Sequence, residues 1–120
     1  MSSVHHSDLL ALRDTLREFA EARDWGQFHT PKNLAMALIG EAAEVVEHFQ
    51  WRTAEASAAL PEADRAGVAL ELADVLLYLV RLADVLGVDL ADAAQRKLLI
   101  NEARYPVDKA HGRADKYSRL

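Results

Sequence analysis

The sequence predicts an all-α fold, a bundle of four to five helices in a single domain spanning residues 1–120. Three observations predict it. Apolar residues recur at helical spacing along nearly the whole chain, with no run of alternating strand pattern and no repeat of solenoid period. Helix caps and stops, Thr30-Pro31, Gly87 and Asp89, stand where that spacing begins and ends. A length of 120 residues, 51% of them hydrophobic, with five Gly and three Pro, suits one core rather than a disordered or fibrous chain.

The first helix is expected from about Ser7 to Ala22, where Leu9, Leu12, Leu16, Phe19 and Ala20 form one stripe, and it ends before the Asp24-Trp25-Gly26 turn. Thr30 then caps a second helix with Pro31 at its first position, where the missing N–H costs nothing. This helix is expected to reach about Trp51. The alanine-rich connection Thr53 to Leu60, closed by Pro61, fits either a short helix or a mobile loop. A long helix follows from about Glu62 to Leu86, with Leu72, Val75, Leu76, Leu79, Ala83 and Leu86 on its core side and Gly87 as a left-handed stop. Asp89, with Asp92 three residues on, starts a last helix that runs to about Ala103 and halts before Tyr105-Pro106. Residues 1–6 and about 107–120 are expected to be flexible or extended.

Charge and composition exclude several classes of function. A net charge of −5 and a pI near 5.5 argue against a basic surface for polymeric nucleic acid. The Met-Ser-Ser-Val-His-His start has no basic segment followed by an apolar run, and no stretch approaches the roughly 20 apolar residues of a membrane span. Cysteine is absent, so disulfides, thiolate metal sites and thiol nucleophiles are unavailable, and the cytoplasm is the expected compartment. No P-loop, nucleophile elbow or zinc pattern occurs.

What remains is a set of acidic helix motifs. Residues three apart on an α-helix lie about 60° apart around the axis, so Glu41 and Glu44 share a face, as do Glu71 and Asp74. A lone ExxE is ordinarily a solvated surface. Two such pairs flanked by Leu38, Ile39, Val45 and Val46 on one helix and Leu70, Leu72, Val75 and Leu76 on the other place carboxylates next to buried surface. Four convergent carboxylates repel one another unless a cation sits among them, and hard oxygen ligands suit Mg²⁺ or Mn²⁺. A di-iron bundle would want Glu-x-x-His on facing helices, which neither motif supplies. His48, four residues after Glu44, could place a nitrogen nearby but reads more readily as structural or surface-exposed, an imidazole suiting softer metals than this oxygen-rich set; Glu47 is open between ligand, base and exposed surface.

The same faces lead on from Glu44 to His48 and Trp51, and from Asp74 to Tyr78 and Arg81. Trp25, Phe28 and His29 add an aromatic cluster before the second helix, fit either for stacking a base or for core packing. Lys97, Asn101 and Arg104, spaced by four and three, would offer two cations and an amide to phosphates, or form a solvated basic face.

Taken together, these residues resemble the all-α nucleotide pyrophosphohydrolases of the MazG-like group, whose signature is ExxE followed by ExxD. Closer still is the resemblance to its dCTP pyrophosphatase branch, through Glu21-Ala-Arg-Asp-Trp25-Gly-Gln-Phe28-His29, Pro31-Lys-Asn33, Gly40-Glu-Ala-Ala-Glu44, Phe49-Gln-Trp51, Glu71-Leu-Ala-Asp74 with Tyr78, Lys97 with Asn101 and Arg104-Tyr-Pro106, and Lys116-Tyr117. The resemblance implies a MazG-like helical bundle that hydrolyses a nucleoside triphosphate, dCTP or a 5-modified dCTP, to the monophosphate and pyrophosphate in nucleotide-pool house-cleaning. It implies Mg²⁺ on Glu41, Glu44, Glu71 and Asp74, with Mn²⁺ as a substitute. Trp25, His29, Trp51 and Tyr78 would contact the base, while Lys97, Asn101, Arg104, Lys116 and Tyr117 would hold sugar or phosphates across the subunit boundary of a homodimer or homotetramer. One departure bears on the base: Leu16 stands where members of that branch carry a His. The alternatives are a non-catalytic nucleotide or metal sensor on the same fold and a purely structural helical module.

Overall fold

The computed structural model describes residues 6–120, and every regular element among them is helical. The elements are α1 (His6–Ala22), a 3₁₀ turn (Trp25–Gln27), α2 (Pro31–Glu47), α3 (Ala54–Ala58), α4 (Glu62–Leu86), α5 (Leu90–Arg104), α6 (Val107–Ala110) and a closing 3₁₀ turn (Tyr117–Arg119). Residues 1–5 of the segment expected to be flexible lie outside the described residues.

Local chemistry sets the boundaries. The Thr30 hydroxyl accepts from the Asn33 N–H at 3.2 Å with Pro31 following, the Thr53 hydroxyl accepts from the Ala56 N–H at 3.1 Å, and the Asp89 carboxylate accepts from the Asp92 N–H at 3.0 Å. Gly87, at φ 68°, ends α4 in a Schellman arrangement: its own N–H bonds to the Asp84 carbonyl at 3.0 Å, and the Val88 N–H to the Ala83 carbonyl at 2.8 Å. The alanine-rich connection is thus a short capped helix.

Three expectations need correction. The second helix stops at Glu47, not Trp51. Beyond it the backbone closes tight turns, Phe49 N–H to Val46 O and Arg52 N–H to Phe49 O, while the Arg52 guanidinium bonds the His48 carbonyl and pairs with Asp64 of α4 at 3.0 Å. Downstream of Val107 the chain is not simply extended but makes α6 and a 3₁₀ turn. The core side of α4 also differs: Val68, Val80 and Ala83 are buried, whereas Leu72, Leu76, Leu79 and Leu86 are exposed. Helix α4 is apolar on almost every side, so periodicity alone does not select the inner face.

The packing centres on α2 against α4, with α1 laid across α4 and touching α5. Leu34 of α2 is the largest side chain wholly enclosed, at 1% exposure, joined in the core by Ala20, Val68, Val80, Ala83 and Ala91. Gly67 lets the C-terminal end of α2 approach α4 closely, since a Cβ there would sit 3.2 Å from the His48 ring. No helix among the described residues is long and apolar enough to cross a membrane.

Candidate active site

The α2–α4 contact brings the two acidic motifs face to face. Glu41, Glu44, Glu71 and Asp74 each offer a carboxylate oxygen, and these four atoms lie within 4.8 Å of one another. One oxygen of Glu41 (Oε2) and one of Glu71 (Oε2) are shut off from solvent with no hydrogen-bond partner. Orphaned buried carboxylate oxygens are rare because their desolvation is uncompensated. A divalent cation would relieve that frustration, and the all-oxygen donor set fits a hard ion.

In the metal-free protein the repulsion appears as proton affinity. A proton shared with Glu44, burial, and the nearby charges of Glu44, Asp74 and Glu71 push Glu41 up from 4.5 to about 7. Glu71 is raised by its hydrogen bond with Glu44, then by burial and the Glu44 charge, with His48 opposing and Asp74 adding to the rise. The His48 Nε2 lies 3.9 Å from a Glu71 oxygen and outside the quartet, an electrostatic neighbour rather than a fifth carboxylate-like ligand.

A cavity of about 160 Å³ opens beside the quartet, lined by Leu16, Phe19, Ala20, Trp25, His29, Asp74, Leu77, Tyr78 and Arg81. Asp74 belongs to both. The cavity owes its aromatic wall to Asp24, which takes a left-handed backbone (φ 53°) and turns the chain back over α1. Trp25 consequently meets Phe19 edge-on at 5.6 Å between ring centroids and His29 at 6.0 Å. His29 in turn is held by Arg81, whose Nε–H donates to its Nδ1 at 3.0 Å. Arg81 pairs with Asp84 at 3.2 Å, and Arg17 of α1 engages the same carboxylate with two N–H groups. The two guanidiniums, Arg17 first, hold the Asp84 carboxyl below its usual range.

Other residues singled out in the sequence lie elsewhere. Trp51, on the turns after α2, is 89% exposed and does not line the cavity. Arg104, Lys116 and Tyr117 gather at the far end of α5, the guanidinium 4.6 Å over the Tyr117 ring and the Lys116 ammonium 6.0 Å from it. Asn101 lines a separate groove with Gln95, Leu98, Leu99, Glu102 and Tyr105, and Lys97 is exposed on the same helix. Sequence reasoning passed over Phe19, Leu77, Arg17 and Asp84 as members of this region. The i, i+3 spacing of Arg81 and Asp84 was the one available signal.

The family described as MazG-like matches residues 39–120. The chain belongs to the MazG-like family. That span contains all four quartet carboxylates, while Trp25 and His29 precede it. Among relatives of this MazG-like chain, dCTP pyrophosphatase 1 of Mus musculus is 49% identical over 105 residues, covering 86% of this chain and 62% of the relative. The Homo sapiens protein of the same name is 46% identical over 105 residues, with the same coverage. The chain therefore spans less than two thirds of the length of these relatives. A crystal structure of a pyrophosphatase from Archaeoglobus fulgidus superposes with a TM-score of 0.76 at 41% identity, covering 88% of this chain and 97% of that one.

Proposed function

We propose that this chain hydrolyses a nucleoside triphosphate to its monophosphate and pyrophosphate, with dCTP or a 5-modified dCTP as substrate. Mg²⁺, replaceable by Mn²⁺, would be held by Glu41, Glu44, Glu71 and Asp74. The observation that carries this reading is the convergence of four carboxylates, two with orphaned oxygens, on the rim of an aromatic cavity that shares Asp74. Membership of the MazG-like family and the likeness to proteins named for dCTP pyrophosphatase activity support it. The cavity's ring-bearing walls, Phe19, Trp25, His29 and Tyr78, suit a flat base.

A divalent ion held by Glu41, Glu44, Glu71 and Asp74 would supply charge neutralisation for the triphosphate and would ease ionisation of the attacking water. The chain's own groups do the rest. Trp25 and Tyr78 cover the base, His29 meets its edge, and one carboxylate of the quartet accepts the proton of the water whose oxygen bonds to phosphorus as the P–O bond linking the α and β groups breaks and pyrophosphate separates from the monophosphate. Lys97, Asn101, Arg104, Lys116 and Tyr117 lie away from the cavity in the same chain, and in this reading a second copy brings them, with Trp51, to the substrate. Self-association into a homodimer or homotetramer is supported by the molecule's spread: its radius of gyration is 17.6 Å, against about 13.6 Å for a compact chain of this length. The proposed setting is cytoplasmic nucleotide-pool cleaning.

The test is incubation with Mg²⁺ and a panel of canonical and 5-modified deoxynucleoside triphosphates, the products resolved by chromatography. Monophosphate plus pyrophosphate, fastest with cytosine substrates, is the expected result. Turnover fastest with another base would retain the reaction and overturn the cytosine assignment. Saturable binding with no turnover of any substrate would instead favour a nucleotide sensor on the same fold.

A further inference from the structure

The geometry points to Arg81 as a positioning residue that fixes His29 as a hydrogen-bond donor to the substrate's base. A guanidinium has five N–H donors and no acceptor, so the contact from Arg81 Nε–H to His29 Nδ1 at 3.0 Å requires an unprotonated Nδ1. The neutral ring must then carry its proton on Nε2. Burial, and after it the Arg81 charge, hold the imidazolium below its ordinary range, so the ring stays neutral as well as oriented.

Arg81 is itself clamped. Asp84, one turn along α4, takes Arg81 Nη1 on one oxygen and two N–H groups of Arg17 across both, which ties α1 to α4 behind the cavity. On the α1 side, Leu16, Phe19 and Ala20 give the cavity no polar group. Its polar recognition therefore falls to His29, Tyr78, Arg81 and the Trp25 indole, with Asp74 committed to the quartet. A fixed Nε2–H meets an acceptor on the base edge, a carbonyl oxygen or an unprotonated ring nitrogen, which every natural base offers, so it anchors a base without choosing among bases. This assignment rests on the reading of the cavity as the base site.

Two measurements test it. Long-range ¹H–¹⁵N correlation on the imidazole of the whole, substrate-free protein should show His29 as a single Nε2–H tautomer; an Nδ1–H tautomer, or an averaged one, would overturn the proposal without touching the base-site reading. Discrimination is then measured as the ratio of kcat/KM for dCTP to that for deoxyribose triphosphate lacking a base. Arg81→Met, which leaves no N–H for Nδ1, should lower this ratio roughly tenfold, with KM rising more than kcat falls, and Asp84→Asn should lower it less. In Arg81→Met the His29 ring should become a mixture of tautomers. A wild-type ratio, or a retained single Nε2–H tautomer, in Arg81→Met would overturn the proposal. A wild-type enzyme indifferent to the base would sink the base-site reading, and this assignment with it.

Discussion

Glu41 and Glu71 each carry a burial cost that a cation among the four carboxylates would offset. Each keeps one oxygen away from water and from any donor, a state that desolvation makes unfavourable for the charged form. Because Glu41 is raised from 4.5 to about 7, the folded metal-free protein holds a proton there that the unfolded chain has already lost. Its stability should therefore fall as pH rises from about 4.5 to about 7 and level off above. A divalent ion must displace that proton, so the gain in Tm on adding Mg²⁺ should be larger at pH 8 than at pH 5.5; an equal gain at both would contradict the account. Glu41→Gln removes the repulsion along with the ligand. In metal-free buffer at pH 8 its Tm should exceed wild type by roughly a few degrees while its response to Mg²⁺ disappears, both read by calorimetry.

Among the elements, the helix signals carried by single residues were plain in the sequence: Thr30-Pro31, Gly87 and Asp89 act by local hydrogen bonds and backbone angle, which need no tertiary context. The carboxylate quartet was legible for a similar reason, since i, i+3 spacing sets the face of each helix, and only the α2–α4 contact had to be supplied by the fold. What sequence could not convey was long-range. The inner face of α4 was misplaced because Leu72, Leu76 and Leu79 are as apolar as Val68 and Val80 yet lie outside. The link from Arg17 to Asp84 joins residues far apart in the chain, and Arg52, on the turns that follow α2, reaches Asp64 of α4. Leu34→Ala should cost about 2–5 kcal/mol in denaturant unfolding, because a fully enclosed leucine leaves a cavity. Gly87→Ala should cost about 1 kcal/mol, since a Cβ at φ 68° is strained even where space is open.

For the whole molecule, the surface is larger than its mass warrants. The chain exposes 8926 Å², whereas a monomeric protein of 13.3 kDa exposes about 6,450 Å². The excess is apolar in character: Ile39 and Leu70 are 68% and 71% exposed, and Leu98, Leu99 and Ile100 line the outside of α5. Light scattering at micromolar concentration should give a mass of at least two chains; a monomer of 13.3 kDa would remove the route by which α5 and the tail reach a partner's cavity. The role of the quartet is tested by one titration: Mg²⁺ added to wild type and to Glu44→Gln with dCTP present, pyrophosphate quantified in both. Release should require Mg²⁺ and drop roughly a hundredfold or more in the variant. Pyrophosphate released without any divalent ion, or undiminished in Glu44→Gln, would remove the quartet from the reaction.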